Sequence, residues 1–191
     1  MKKNLVGDEK MIKYVYDKDI LDSKADAIVN TVNCKGIMGK GLALRFKEKY
    51  PDMFMEYKTK CLRGEIKPGI LHIYRTIDKI IINFPTKDDW RKRSRIEYIQ
   101  KGLKYFVEHY KEWNIKSVAF PQLGCGSGGL KWATVKKIME KYLSNLEIEV
   151  EIYIDRRRDK IRELQKILDK LTVEQIDELI RISKKWLSTD K

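Results

Sequence analysis

The sequence has few of the residues that build disulfide frameworks, metal centres and histidine-based catalytic sites. Its 191 residues include three cysteines, two histidines and four prolines. The cysteines, Cys34, Cys61 and Cys125, are odd in number and lack metal-ligand spacing, which favours a reduced environment over a disulfide scaffold. Because no cluster of histidine, cysteine and aspartate has the spacing of a metal site, we expect no metal and no cofactor.

The sequence also lacks long apolar runs. No stretch approaches the roughly 20 apolar residues that a membrane span requires. The first four residues (MKKN) are not followed by the apolar stretch of a signal peptide. We therefore expect a cytoplasmic monomer without membrane attachment.

The sequence is rich in positive charge and in apolar residues. Hydrophobic residues make up 42% of the chain, enough for a core, and 191 residues suit one domain with an appendage. The formal net charge is +13, which makes a polyanionic partner such as nucleic acid plausible. Lysine-rich sequences also occur for reasons of thermal adaptation, so the charge alone leaves the partner open.

The most informative stretch is a glycine-rich connection between a predicted strand and a predicted helix. Residues 117–120 are typical of a buried strand, four glycines follow within residues 124–129, and apolar residues after Lys131 recur at helical spacing. Glycines allow positive φ, and the N–H groups and dipole of a helix start attract anions. We expect this connection to cradle a phosphate or pyrophosphate. The spacing of Gly124, Gly126 and Gly129 also fits the GxGxxG pattern, which alone is weak evidence for a dinucleotide-binding fold. The alternative is a glycine-rich turn without a ligand.

A second connection of the same kind lies earlier in the chain. The apolar strand at residues 27–32 runs into a glycine-rich segment, residues 33–41, and then into a helix that stops before Pro51. Ligands of α/β sheets bind beyond the carboxyl ends of the strands. Two such loops side by side would hold both phosphates of one diphosphate.

The remaining pattern alternates strands with helices. We predict strands at residues 11–16, 70–74, 79–84 and 148–154, with a hairpin between the second and third of these, and helices at 52–63 and 96–110. Asp19 is placed to cap a short helix, and Ser94 with Glu97 fits a capping box. The alternation predicts an α/β domain over residues 1–154, with three layers and a mixed, mostly parallel sheet.

Residues 155–191 are predicted to be a C-terminal helical extension. Two amphipathic helices are separated by a second capping box, formed by Thr172 and Gln175. A helical hairpin packed on the domain, a partner-binding surface and the start of a longer domain are the three interpretations.

Three motifs, in this order, resemble those of macrodomains. They are residues 30–43 (NTVNCKGIMGKGLA), residues 83–87 (NFPTK) followed by Trp90 and Arg91, and residues 121–132 (PQLGCGSGGLKW). Within that family the chain is most similar to the DarG-type DNA ADP-ribosyl glycohydrolases, the antitoxins of DarT/DarG systems. The resemblance implies a three-layer α/β/α macrodomain, an ADP-ribose ligand and a DNA ADP-ribosyltransferase toxin as partner. The implied reaction removes ADP-ribose from thymidine in single-stranded DNA.

The resemblance also implies a set of ligand contacts. Asp19 would accept a hydrogen bond from the adenine amino group, with Ile20 beside it, and Asn33 would contact the distal ribose. The other implied contacts lie in the two glycine loops and at the strand ends: Thr31, Gly36, Met38, Gly39, Gly41, Leu42, Pro85, Thr86, Pro121, Leu123, Gly124, Cys125, Gly126, Ser127, Gly128, Gly129 and Leu130.

Lys87 is the catalytic residue that the resemblance implies, beside the anomeric carbon. A neutral amine would attack that carbon, whereas an ammonium would protonate the departing base or stabilise its charge. The first role needs a lowered pKa, through burial or through cations such as Lys35, Arg91 or Arg95. By composition alone, Lys87 would be an ordinary solvated loop lysine.

One position departs from the related terminal ADP-ribose glycohydrolases, which carry an aspartate where this chain has Gly128. A water molecule or another carboxylate, Asp88 or Asp89, would then resolve a lysine adduct, or no adduct forms. Cys34 and Cys125 are interpreted as packing residues. A nucleophilic cysteine needs a base beside it, and the two histidines, His72 and His109, lie outside the glycine-loop motifs.

Trp90, Arg91 and Arg95 follow Lys87 and suggest a DNA-binding surface, in which the indole stacks on a base and the arginines hold flanking phosphates. The alternative is a core tryptophan with surface arginines. The sequence is therefore compatible with three functions. They are a DNA ADP-ribosyl glycohydrolase, a hydrolase of ADP-ribosylated protein or small ADP-ribose esters, and a non-catalytic ADP-ribose reader or nucleic-acid binder.

Overall fold

A computed structural model describes residues 12–189, so Met11 of the first predicted strand and the preceding residues lie outside it. The described residues contain six strands, six α-helices and one 3-10 helix. The strands are β1 (Lys13–Tyr16), β2 (Ala27–Val32), β3 (His72–Arg75), β4 (Ile80–Pro85), β5 (Ser117–Pro121) and β6 (Glu149–Ile154). The helices are η1 (Ile20–Asp22), α1 (Gly41–Lys49), α2 (Pro51–Leu62), α3 (Ile96–His109), α4 (Trp132–Leu143), α5 (Arg156–Leu168) and α6 (Val173–Thr189).

The strands form one sheet with the order β1-β6-β5-β2-β4-β3. All neighbouring pairs are parallel except β3 with β4, which form the predicted antiparallel hairpin. The prediction of a mixed, mostly parallel sheet is therefore confirmed. Five parallel strands place their carboxyl ends at the same edge of the sheet, where α/β proteins bind ligands.

Helices cover both faces of the sheet, because successive apolar side chains of the central strands point to opposite faces. On β2, Ala27 and Val29 join one core cluster, while Ile28 and Val32 join a second cluster on the opposite face. Buried residues of α3 and α4 belong to the first cluster, and those of α1 and α2 belong to the second. This arrangement confirms the three-layer α/β/α prediction, since a parallel sheet must bury both faces.

The predicted capping box at Ser94 and Glu97 is wrong. The helix α3 begins after Arg95, which makes no side-chain capping bond. Ser94 is instead buried, and its backbone N–H donates to the carbonyl of Gly128 at 3.0 Å. The reason is tertiary packing: the segment before α3 lies against the glycine loop that follows β5, and this contact overrides the local capping preference.

The chain divides between Ile154 and Asp155 into two compact units. In the second unit, the capping box at the start of α6 is confirmed. The N–H of Thr172 donates to Oε1 of Gln175 at 3.0 Å, and the N–H of Gln175 donates to Oγ1 of Thr172 at 3.4 Å. Within residues 12–189, no helix combines the length and the apolar character needed to cross a membrane.

Candidate functional site

Three loops meet at the carboxyl edge of the sheet. We name them the first glycine loop (residues 33–40, after β2), the lysine loop (residues 86–95, after β4) and the second glycine loop (residues 122–131, after β5). Their strands are neighbours, and Val32 at the end of β2 lies in register with Pro85 at the end of β4. The Thr86 N–H donates to the carbonyl of Val32 at 2.9 Å, so the lysine loop starts against the first glycine loop.

Asn33 organises the first glycine loop with its own side chain. Its Nδ2 donates to the carbonyl of Ile37 at 2.6 Å, and its Oδ1 accepts from the N–H of Lys35 at 2.8 Å. The hydroxyl of Tyr57, on α2, donates to the carbonyl of Asn33 at 2.6 Å. Asn33 is buried, so these bonds fix the loop from inside, and its implied contact with ribose stays a prediction.

Glycine is required at one point of this loop because the loop lies directly on α2. Gly36 has φ 71°, and a Cβ there would lie 3.2 Å from Cγ of Lys58. Cys34 beside it contacts the lysine loop, since its Sγ lies 3.3 Å from the carbonyl of Lys87. Burial raises the pKa of the Cys34 thiol to about 12, which agrees with a packing role rather than a nucleophilic one.

The second glycine loop is a compact series of turns. The N–H of Leu130 donates to the carbonyl of Gly124 at 3.1 Å, and that of Gly129 donates to the carbonyl of Gly126 at 3.2 Å. Gly124 and Gly129 both adopt positive φ, 66° and 77°. The chain then enters α4, whose N-terminus therefore lies at the loop, as the sequence predicts.

Some of the predicted contact residues turn their side chains away from the loops. Leu123 and Cys125 pack in the core beneath the second glycine loop, and Met38 is buried beneath the first. These residues can offer a ligand only their main-chain atoms. Pro85 and Thr86 are buried at the end of β4, and the loop glycines Gly36, Gly124 and Gly128 are buried as well. The remaining members of the set are half-buried or exposed: Thr31, Gly39, Gly41, Leu42, Pro121, Gly126, Ser127, Gly129 and Leu130.

Lys87 reaches from the lysine loop to the second glycine loop. Its Nζ donates to the carbonyl of Ser127 at 2.9 Å and lies 3.4 Å from the carbonyl of Trp90. The amine is therefore held beside the loop that the sequence predicts to bind phosphate. Its side chain is neither fully solvated nor in the core, which is the position expected of a group that must meet a ligand.

Burial lowers the pKa of Lys87, and the positive charge of Lys40 lowers it further. Lys40 is the residue that precedes α1, at the end of the first glycine loop. A lowered pKa was the requirement of the neutral-amine role, with Lys35, Arg91 and Arg95 as the candidate cations. The cation that contributes is Lys40, because folding brings the end of the first glycine loop to face the lysine loop.

The two carboxylates of the lysine loop are paired with basic side chains. Asp89 is buried and accepts from the Arg91 guanidinium at 2.8 Å and 3.0 Å, and this pairing holds its pKa well below the usual range. Asp88 pairs with Lys92 at 3.0 Å. Asp89 thus serves to shape the loop, so of the two carboxylates Asp88 is the more accessible candidate for a role in chemistry.

Trp90 lies on the surface, with about half of its area exposed (51%). The alternative of a core tryptophan is therefore wrong. The Arg91 guanidinium lies 5.8 Å from the centre of the Trp90 ring, and the Arg95 guanidinium lies 5.6 Å from the ring of Tyr98. These groups form an exposed aromatic and cationic surface beside Lys87.

Asp19 follows β1 and lies at the same edge of the sheet. Its Oδ1 accepts from the N–H of Leu21 at 3.0 Å, which confirms its predicted capping of η1. Its other oxygen pairs with Arg45 of α1. Burial acts to raise the pKa of Asp19, but the bonds from Arg45 and from the Leu21 N–H lower this pKa overall. Ile20 next to it is buried.

Three residues of this edge were not predicted from the sequence: Lys40, Arg45 and Ser94. Lys40 lies inside the first glycine motif, but no pattern in the sequence shows that it faces Lys87. The pairing of Arg45 with Asp19 joins residues 26 positions apart. Among residues 12–189, no group of histidine, cysteine, aspartate and glutamate is arranged to hold a metal ion.

Comparisons with known proteins place the chain in one family. The family model described as "Macro domain" matches residues 29–139. The DNA ADP-ribosyl glycohydrolase of Thermus aquaticus is 41% identical over 148 residues, covering 75% of this chain and 41% of that protein. This chain therefore spans only about two fifths of the length of the curated relative.

Solved structures agree with the sequence comparison. The macrodomain of Mycobacterium tuberculosis DarG has a TM-score of 0.72 and 44% identity, over 75% of this chain and 97% of that one. DarTG of Thermosipho africanus in complex with ADP-ribose has a TM-score of 0.72 and 35% identity, over 78% of this chain and 43% of that one.

Proposed function

Because the chain belongs to the macrodomain family, we propose that it binds ADP-ribose at the carboxyl edge of its sheet and removes it from thymidine in single-stranded DNA. In this proposal the protein is a DNA ADP-ribosyl glycohydrolase that acts as antitoxin to a DNA ADP-ribosyltransferase. The observation that supports it most directly is Nζ of Lys87, which lies 2.9 Å from the carbonyl of Ser127 in the second glycine loop.

The two glycine loops are suited to the diphosphate. They follow β2 and β5, which are adjacent parallel strands, and the lysine loop follows β4 on the other side of β2. Glycines leave the backbones of both loops accessible. The N-termini of α1 and α4 follow these loops, and helix N-termini favour negative charge. Adenine then lies toward Asp19, and the distal ribose lies toward Lys87.

Lys87 supplies the chemistry in this proposal. The two carbonyls around Nζ suit an ammonium, which can donate to both, whereas burial and Lys40 favour the neutral amine. The ammonium form would protonate the departing base or stabilise its charge, an assistance typically worth about 10² to 10⁴-fold in rate. The neutral form would attack the anomeric carbon and displace the base, which takes up the proton that the amine loses. The ribose would then open as a Schiff base, which water hydrolyses to free the lysine.

DNA is favoured as the carrier of ADP-ribose by the surface beside Lys87. Trp90 offers an exposed ring for stacking, and Arg95 offers positive charge to a flanking phosphate. Arg91 is paired with Asp89, but its side chain is exposed and keeps N–H groups for a phosphate contact. The net charge of +13 acts in the same direction over longer distances. The C-terminal helices α5 and α6, with exposed apolar residues such as Leu164 and Trp186, are proposed as a partner-binding surface.

A second candidate is hydrolysis of a small ADP-ribose derivative. An ADP-ribose 1''-phosphate phosphatase of Aspergillus clavatus is 29% identical over 111 residues, covering 53% of this chain. Such a substrate would use the same two glycine loops and would not need Trp90.

The deciding experiment compares substrates for the protein and two variants. A thymidine-ADP-ribosylated oligonucleotide, an ADP-ribosylated protein and ADP-ribose 1''-phosphate are each incubated with the wild type, Lys87→Ala and Lys104→Ala. Lys104 is an exposed lysine of α3 and serves as the matched control. We expect release from DNA by the wild type and the control, and a loss of about 10²-fold or more in Lys87→Ala.

Other outcomes separate the remaining functions. Release from ADP-ribosylated protein or from the 1''-phosphate alone would replace the DNA substrate. Tight ADP-ribose binding without release from any substrate would identify a reader. An absence of both release and ADP-ribose binding would leave only nucleic-acid binding.

A further inference from the structure

Ser94 carries a buried hydroxyl that has no hydrogen-bond partner among residues 12–189. The residue is only 5% exposed, so water does not readily replace the missing partner. An unpaired buried hydroxyl destabilises a folded protein, and alanine would fill nearly the same space without that cost. The hydroxyl therefore needs an explanation beyond packing.

The hydroxyl lies directly against the second glycine loop. A Cβ at Gly124 would lie 3.2 Å from Oγ of Ser94, and a Cβ at Gly128 would lie 2.8 Å from Cβ of Ser94. At Gly128 the Oγ of Ser94 and the carbonyl of Gly124 are closer still. Both glycines are thus needed for Ser94 to approach, and the Oγ faces the main chain of the loop.

Ser94 also belongs to the loop that carries Lys87, and the two loops are joined at both of these residues. The N–H of Ser94 donates to the carbonyl of Gly128 at 3.0 Å, and Nζ of Lys87 donates to the carbonyl of Ser127 at 2.9 Å. A change in the second glycine loop therefore moves the acceptors of both bonds. Glycine peptides reorient at low cost, so the loop is able to present a polar group to Oγ.

We propose that Ser94 is a positioning residue: its hydroxyl forms a hydrogen bond with the second glycine loop when that loop closes on the diphosphate, and this bond fixes the loop relative to Lys87. The inference rests on the proposed function, because it takes ADP-ribose as the ligand of the loop. It assigns to Ser94 a role in binding and rate rather than in folding.

The test uses Ser94→Ala with Ser144→Ala as the matched control, since Ser144 is an exposed serine at the end of α4. Thermal unfolding is measured without ligand, ADP-ribose affinity is measured by calorimetry, and release from the ADP-ribosylated oligonucleotide is measured at saturating enzyme. We expect Ser94→Ala to unfold at the same temperature as the wild type or higher. We expect its ADP-ribose affinity to fall by about fivefold, the effect of one hydrogen bond, and its release rate to fall as well.

The opposite signs of the stability and affinity changes make the test specific. A role in packing alone would lower the unfolding temperature and leave affinity intact, and that result would overturn the proposal. Wild-type affinity in Ser94→Ala would overturn it equally. Weaker affinity with an unchanged release rate would overturn the link to Lys87. If the wild type itself fails to bind ADP-ribose, the proposed function fails, which is a distinguishable result.

Discussion

Gly128→Ala is the substitution whose effect the structure defines most closely. The added Cβ would lie 2.8 Å from Cβ of Ser94, whereas unstrained carbon atoms lie about 3.5–4.0 Å apart. The carbonyl of Gly124 also obstructs the new methyl group, and a backbone carbonyl cannot rotate away as a side chain would. One of the two segments must therefore move by roughly 1 Å.

The expected cost of this overpacking is about 1–3 kcal/mol in the free energy of unfolding. For a chain of this size, that cost lowers the unfolding temperature by roughly 2–12 °C. Because the displaced segments are the second glycine loop and the lysine loop, we also expect ADP-ribose affinity to fall. Urea unfolding measures the first effect, and isothermal titration calorimetry measures the second.

Two other glycines provide controls that separate steric overlap from backbone strain. Gly41 has φ 60° with open space around its Cβ position, so Gly41→Ala tests strain alone, at about 1–2 kcal/mol. The Cβ of Gly39→Ala would meet Cγ2 of Ile37 at an ordinary 3.8 Å, so its stability should stay within about 0.5 kcal/mol of the wild type. If Gly128→Ala is as stable as Gly39→Ala, the packing of Ser94 against the loop is wrong.

Three further predictions concern the proposed ligand, the pKa of Lys87 and DNA binding. Gly126→Val should abolish ADP-ribose binding in a calorimetric titration while circular dichroism and unfolding temperature stay close to wild type; unchanged affinity would remove the second glycine loop from the site. Lys40→Met should raise the pKa of Lys87 toward its ordinary value, because a positive charge that lowers this pKa is removed. The basic limb of the pH–rate profile then moves to higher pH if the ammonium is the active form, whereas the rate near neutral pH falls if the neutral amine is; an unmoved profile would mean that Lys40 does not influence Lys87. Affinity for an unmodified single-stranded oligonucleotide should fall steeply as salt rises, since phosphate contacts release counterions, and Trp90→Ala should weaken binding without changing that slope. A flat salt response would separate the net charge from DNA binding.

The sequence by itself determined the elements and their order. Local signals were sufficient for this, because strand β2, the helix after Gly41 and the capping box at Thr172 depend on residues that are neighbours in the chain. The glycine spacing also identifies both loops, although it does not give their relative positions. The family resemblance singles out Lys87, which composition alone does not distinguish from the other lysines.

Only the tertiary structure decided what faces Lys87 and where Ser94 lies. The pairing of strands brings Lys40 toward Lys87 across 47 positions of the chain and brings Ser94 against Gly128 across 34. Charge and packing effects of this kind depend on distance in space, and sequence patterns report mainly on neighbours. Ser94 shows the difference most clearly: its local pattern predicted a helix cap, but the energetic gain of packing the lysine loop on the second glycine loop fixed it elsewhere.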